Sequence, residues 1–224
     1  MRRRRETAGS PVPLDASASS ISLEEGRSRF VLHLRGESAE VSLPLPGRHN
    51  VLNFLGAAAV ASVLGASASD AAEAALHLAP ARHRGEVRAL AEDVLLYDDC
   101  YNSSPVALTA SFAAFEAAAG GRRKVAVLGE MRELGPKSRE FHAAAGREIG
   151  PRADLLVAVQ GDAEALADGA RTVGAREVHV VPGPFEALAL LRKSLRPGDA
   201  LFVKGSRGVG LDRLVDALAG EVTP

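Results

Sequence analysis

The sequence contains no tryptophan, only two tyrosines and seven phenylalanines, so aromatic residues make up 4% of it. Alanine is abundant, which predicts an aliphatic, close-packed core in helix-rich layers. The single cysteine, Cys100, excludes an internal disulfide framework and fits a reducing cytoplasm. Neither charge sign dominates: 27 Lys and Arg stand against 28 Asp and Glu, a formal net charge of −1. That balance gives no general attraction to nucleic acid or to a membrane. No apolar run approaches the roughly 20 residues of a membrane span, and no signal peptide is visible. No G-K-[ST] tripeptide occurs either. The expectation is a cytoplasmic protein.

The 224 residues are 46% hydrophobic and 25% charged, an ordinary globular composition with room for one large or two small domains. Residues 1–14, with the basic run Arg2 to Arg5, read as a disordered tail. Weak strands follow between Ile21 and Leu43, with Phe30–Leu34 and Ala39–Leu43 flanking a turn at Arg35-Gly36-Glu37-Ser38. Helix patterns run from about Asn50 to Leu64 and from about Ser69 to Leu78, with Ser69 or Asp70 as the cap of the second. Residues 79–85 read as a linker. Beyond it, strands are predicted at Val87–Leu90, Val94–Tyr97, Lys124–Leu128, Leu155–Val159, Val178–Val181 and Ala200–Val203. Helices fall at about 104–119, 138–149, 162–173, 184–195 and 209–219. This alternation predicts an α/β fold with a Rossmann-like, mostly parallel sheet covered on both faces.

The chemistry concentrates in a few stretches. Leu95-Leu96-Tyr97-Asp98-Asp99 places two carboxylates at the carboxyl end of a strand, where open α/β sheets bind ligands. Ser103 or Ser104 then opens a helix, with Pro105 in its first turn. Adjacent carboxylates repel, so a partner such as a cation, a ribose hydroxyl or an arginine is expected. An exposed acidic turn with a helix cap is the plain alternative. Val203-Lys204-Gly205-Ser206-Arg207 delivers two cations and a hydroxyl into a glycine-rich turn at a helix start, suited to a carboxylate or phosphate. A solvated basic turn is its alternative. Gly129 and Gly135 are one residue too far apart for a phosphate loop, and Pro136 removes an N–H where the lysine should stand. Asn50 reads as the cap of the first helix and Asn53 as one turn inside it. His49 reads as structural, His142 as partly exposed and Cys100 as a buried thiol. No His/Cys/Asp spacing suggests zinc, so no metal site is expected.

Five motifs taken in order resemble the Mur ligases over roughly Ser22 to Leu218. They are Pro46-Gly47-Arg48-His49-Asn50-Val51-Leu52-Asn53, then Arg84, then Asp98-Asp99-Cys100-Tyr101-Asn102. Val127 to Gly135 with His142 follows, and Val203 to Arg207 ends the series. The resemblance implies a tail of the central ATPase domain at residues 15–82 and a C-terminal Rossmann-like domain at residues 83–224. The UDP-binding domain and the G-T-x-G-K-T part of the central domain have no counterpart in these residues.

The implied activity joins D-alanyl-D-alanine to UDP-N-acetylmuramoyl-tripeptide in peptidoglycan precursor synthesis. A carboxylate is a poor acyl donor, and ATP converts it to an acyl phosphate that the dipeptide amine attacks. ATP and Mg2+ would be held mainly by the part not represented here, so the chain alone is expected to be inactive. The resemblance assigns Asn53 to the adenine, Arg84 and Asp99 to ribose and phosphates, and Tyr101 and Asn102 to the nucleotide cleft. It assigns Lys204, Ser206 and Arg207 to the dipeptide, and marks no residue as catalytic. Glu130 stands where the family often has Asp. Arg82-His83-Arg84 departs from the usual Pro-Gly-Arg, which leaves Arg82 as an alternative to Arg84.

Two other readings compete. The chain is a non-catalytic dipeptide- or nucleotide-binding module, or it is one half of a split ligase whose N-terminal half is separately encoded. An unrelated dinucleotide-binding domain would require a G-x-G-x-x-G with a ribose-binding acid downstream, and neither is present.

Overall fold

The computed structural model describes residues 15–24, 26–79 and 81–220, so the tail assigned to residues 1–14 lies outside the described residues. The chain begins with an antiparallel three-stranded sheet in the order β1 (Ala16–Glu24), β2 (Arg27–Leu34), β3 (Glu37–Leu43). Arg35 and Gly36 link β2 to β3 with φ of 48° and 89°, the two left-handed residues of a tight hairpin. Phe30, Leu32, Leu34, Val41 and Leu43 line the covered face of the sheet. α1 (Arg48–Val63) and α2 (Ala68–Ala75) lie on that face. α1 buries Val51, Phe54, Ala58 and Ser62, one stripe at helical spacing.

Three local expectations change here. β1 starts in the Ser/Ala run at Ala16, where no apolar alternation announces a strand; pairing with β2 makes it one. Asn50 does not cap α1: Gly47 is the cap residue, and the Asn50 amide donates to the Pro46 carbonyl at 2.8 Å. Ser67, not Ser69 or Asp70, caps α2. Its hydroxyl accepts from the Asp70 N–H, and the Asp70 carboxylate accepts from the Ser67 N–H, a reciprocal capping box.

The second sheet has six strands in the order β4-β5-β9-β6-β7-β8. These are β4 (Glu86–Ala89), β5 (Leu95–Asp99), β6 (Lys124–Gly129), β7 (Leu155–Val159), β8 (Val178–Val181) and β9 (Ala200–Lys204). Only β4 runs antiparallel, at the edge beside β5. α3 (Pro105–Ala119), α4 (Ser138–Ile149) and α5 (Ala163–Thr172) cover one face. α6 (Pro184–Ser194) and α7 (Leu211–Leu218) cover the other. Strand side chains alternate between the two layers: Ala126, Leu156 and Phe202 face α3 to α5, while Val127, Val157 and Val203 face α6 and α7. The fold class is the one expected.

The core is not purely aliphatic. Tyr97, Phe112, Phe115 and Phe202 form one aromatic knot with centroids 5.2–6.1 Å apart. Four of the nine aromatics are thus packed between α3 and strands β5 and β9. No described helix is long and apolar enough to cross a membrane.

Candidate functional site at the carboxyl edge of the parallel sheet

β5 is buried from Leu95 to Asp98 and delivers two carboxylates to its carboxyl end. Parallel pairing sets Asp99 opposite Lys204 of β9. The lysine therefore reaches the carboxylate directly: Nζ lies 2.5 Å from Asp99 Oδ2 and 3.0 Å from the Asn102 carbonyl. Ser111 of α3 donates a second hydrogen bond to Asp99 Oδ2, at 2.6 Å. The acidic and basic turns are thus neighbours on one edge. Lys204 is buried, however, and its charge is taken up by Asp99. Of the two cations in the basic turn, Arg207 alone is exposed.

Asp98 points the other way and is fully buried. It is met by His83 Nδ1 at 2.8 Å, Arg88 Nη2 at 3.2 Å and the Cys100 N–H at 3.3 Å. Both carboxylates therefore have the cationic partners their adjacency demands. Cys100 is buried as expected. Its thiol is pushed well up, first by burial and then by Asp98.

Tyr101 gathers the exposed cations. The Arg84 guanidinium lies 3.9 Å from its ring centroid and that of Arg207 5.0 Å. Hydrogen bonding from Arg207, then from Arg84, holds the phenol below its ordinary value. Arg82 instead pairs with Asp216 of α7 at 2.7 Å, so Arg84 is the arginine at this cluster. Ser206 is buried; its hydroxyl accepts from the Arg132 N–H at 2.9 Å, and its own N–H donates to the Glu130 carbonyl at 3.0 Å. Asn102 is exposed, and its side-chain oxygen accepts from the Ser103 N–H. Asn53 is exposed on α1, and its side chain makes no hydrogen bond with the described residues.

Three residues join the site that sequence spacing did not bring to it. Ser111 reaches Asp99 from within α3, a contact that only the docking of α3 onto β5 creates. His49 stands at the start of α1 beside the Asp99–Lys204 pair. Burial lowers its basicity; Asp99 opposes that and Lys204 adds to it. Its ring packs against Gly47, where an added Cβ would lie 2.8 Å from the imidazole and 2.9 Å from Ala114 of α3. With φ of 98° as well, that position takes glycine alone. His142 is fully buried, not partly exposed. Its Nδ1–H donates to the Ser138 carbonyl at 2.8 Å, which leaves Nε2 to accept from the Met131 N–H at 2.9 Å. The imidazole is thereby neutral and fastens the turn carrying Glu130 and Arg132.

The sheet, its switch of helical layers and the charged carboxyl edge define an open, Rossmann-like α/β protein. The family model "Mur ligase, glutamate ligase domain" matches residues 83–207. The chain belongs to the Mur ligase family.

The UDP-N-acetylmuramoyl-tripeptide–D-alanyl-D-alanine ligase of Mycobacterium leprae is 39% identical, over 95% of this chain and 46% of its own length. The Escherichia coli enzyme of the same name is 31% identical, over 91% and 44%. A crystal structure of MurF from Acinetobacter baumannii superposes with a TM-score of 0.80 at 30% identity, covering 92% of this chain and 45% of its own. MurF ligase from Thermotoga maritima in complex with ADP gives a TM-score of 0.75 at 25% identity, covering 92% and 46%. The chain spans about half the length of the curated relatives it matches.

Proposed function

We propose that this chain is the C-terminal portion of a ligase that joins D-alanyl-D-alanine to UDP-N-acetylmuramoyl-tripeptide at the expense of ATP, through an acyl phosphate. The observation that carries the reading is the meeting of the two turns: Asp99 and Lys204 pair on one sheet edge, with the half-buried Tyr101 and the exposed Arg84 and Arg207 beside them. Residues 15–82 would belong to the central ATPase domain and residues 83–224 to the C-terminal domain, with the cluster at their junction.

The residues present fit one part of ATP. Two guanidinium groups and an aromatic ring offer charge and a stacking surface, and the exposed Asn53 amide offers a donor and an acceptor to a base edge. They do not fit Mg2+. Asp99 is engaged by Lys204, and Asp98 is flanked by the His83 imidazole and the Cys100 thiol rather than by further oxygen donors, whereas magnesium takes an open, all-oxygen set. The Asp99–Lys204 pair is best read as a support that fixes the turn. Arg207, the exposed cation of the basic turn, is the group left to receive the carboxylate of the dipeptide, with Ser206 and Lys204 holding its loop in place.

The test is a phosphate-release assay with ATP, Mg2+, UDP-N-acetylmuramoyl-tripeptide and D-alanyl-D-alanine. The chain alone should release none. Adding a polypeptide that spans the N-terminal half of a MurF relative should restore turnover, and Arg207→Ala should then raise KM for the dipeptide. Robust turnover by the chain alone would refute the reading. Binding of the dipeptide or of ATP without any rescue would favour a non-catalytic binding module.

A further inference from the structure

We propose that His83, Asp98 and Cys100 form a binding site for a zinc-type divalent metal ion, which clamps the segment before β4 to the end of β5. The three residues each offer one donor atom, and the donor atoms all lie within 4.8 Å of one another. Tetrahedral zinc with bonds of roughly 2.0–2.3 Å sets its donors about 3.5 Å apart, so small side-chain rotations close the site. Asp98 and Cys100 are two residues apart at a strand end and turn to the same side. His83 is carried to them by the backbone: the Tyr101 N–H donates to the His83 carbonyl at 3.0 Å.

The donor set argues for the metal class. A thiolate, an imidazole and a carboxylate suit zinc or cobalt and do not suit magnesium or calcium, which take oxygen alone. The charges also balance. Asp98 and a Cys100 thiolate neutralise one divalent ion, while Arg88 is offset by Glu86 at 3.7 Å. Arg88 remains on Asp98 as an outer partner that orients the ligating carboxylate. On binding, the thiol S–H breaks, its proton leaves to solvent and a metal–sulfur bond forms. His83 Nδ1, the nitrogen that faces Asp98, would coordinate through its lone pair, with the ring proton on Nε2. The His83 side chain is 13% exposed and that of Asp98 fully buried, so solvent meets the cluster on the His83 side. The site is independent of the ligase reading.

Cys100 is the only thiol in the chain, so a thiolate-to-cobalt charge-transfer band can arise from this site alone. The full 224-residue chain, reduced and freed of metal, is titrated with Co2+. The band should saturate at one equivalent and be bleached by Zn2+. It should vanish in Cys100→Ser, and cobalt affinity should fall at least about tenfold in His83→Ala. Asp98→Asn removes a buried charge and endangers folding, so the part-exposed His83 is the decisive variant, with circular dichroism recorded for each protein. No band in the parent chain, or a band unmoved by His83→Ala in a folded protein, would overturn the proposal.

Discussion

Lys204 and Asp99 sit opposite each other in the strand register, and each is the other's counter-charge. Lys204 is 3% exposed. Removing it leaves a carboxylate in a site built for a cation, a loss of about 3 kcal/mol for a broken buried pair. Lys204→Ala should lower urea-unfolding stability by that amount, and Lys204→Ala/Asp99→Ala should recover part of it. Equal losses for the single and double variants would show that the pair contributes no coupling.

The two tyrosines separate by environment. Burial raises the Tyr97 phenol and the Cys100 thiol above their ordinary values of 10.0 and 9.0. A group raised in the fold adds stability that is complete below its unfolded value and is lost as pH climbs toward the folded one. Stability should therefore fall from about pH 9 upward, read by denaturant unfolding along an alkaline series. Tyr101 is shifted down by its arginines, so its contribution appears at alkaline pH and is lost as pH falls through its folded value. Ultraviolet titration should resolve two phenolate steps, and Tyr101→Phe should delete the earlier one. A single step at the ordinary value would contradict both environments.

Helices α4 and α5 approach so closely that their facing glycines leave no room for a methyl group. A Cβ at Gly146 would lie 1.9 Å from the Leu166 carbonyl oxygen, and one at Gly169 would lie 2.1 Å from that of Ala143. Both obstacles are backbone, so relief requires the helices to separate. Gly146→Ala should cost about 3 kcal/mol or more and lower Tm accordingly. Gly121→Ala, with nothing within 4 Å, should be neutral; equal effects at both positions would remove the packing argument. The element pattern of the six-stranded sheet was legible because its strands are short apolar runs between helical segments. Leu155–Val159 is five buried residues in a row, and Ser104 with Pro105 marks the start of α3. What stayed hidden depends on partners distant in sequence. β1 is polar and small, and becomes a strand only against β2. His142 looks like a surface residue until its turn closes over it. In the His83–Asp98–Cys100 cluster, His83 comes from 15 residues before Asp98, and only the fold brings it there. The acidic and basic turns are each legible as charge delivered at a strand end, but not the burial that converts Lys204 from a recruiting cation into an internal one.

Across the whole molecule the two sheets are finished to different degrees. The six-stranded sheet is covered on both faces. The three-stranded sheet has α1 and α2 on one face, and the outer side of α1 carries Leu52, Val60 and Val63 in the open, with Leu64 just past its end at 85% exposed. Leu76 and Leu78 extend the exposed apolar surface beyond α2. A surface of that kind drives association in water, and a formal net charge of −1 supplies little repulsion to oppose it. The chain should therefore self-associate as its concentration rises, seen as an increasing weight-average sedimentation coefficient. Added salt should not disperse the assemblies, because their attraction is apolar rather than ionic. Val60→Glu with Val63→Lys should shift the protein toward monomer with little change in Tm, since both side chains are exposed and at helical spacing from each other. A parent chain that stays monomeric at every concentration would mean that this face is tolerated in water. Loss of folding in the double variant would mean instead that α1 buries more than its Val51–Phe54–Ala58 stripe.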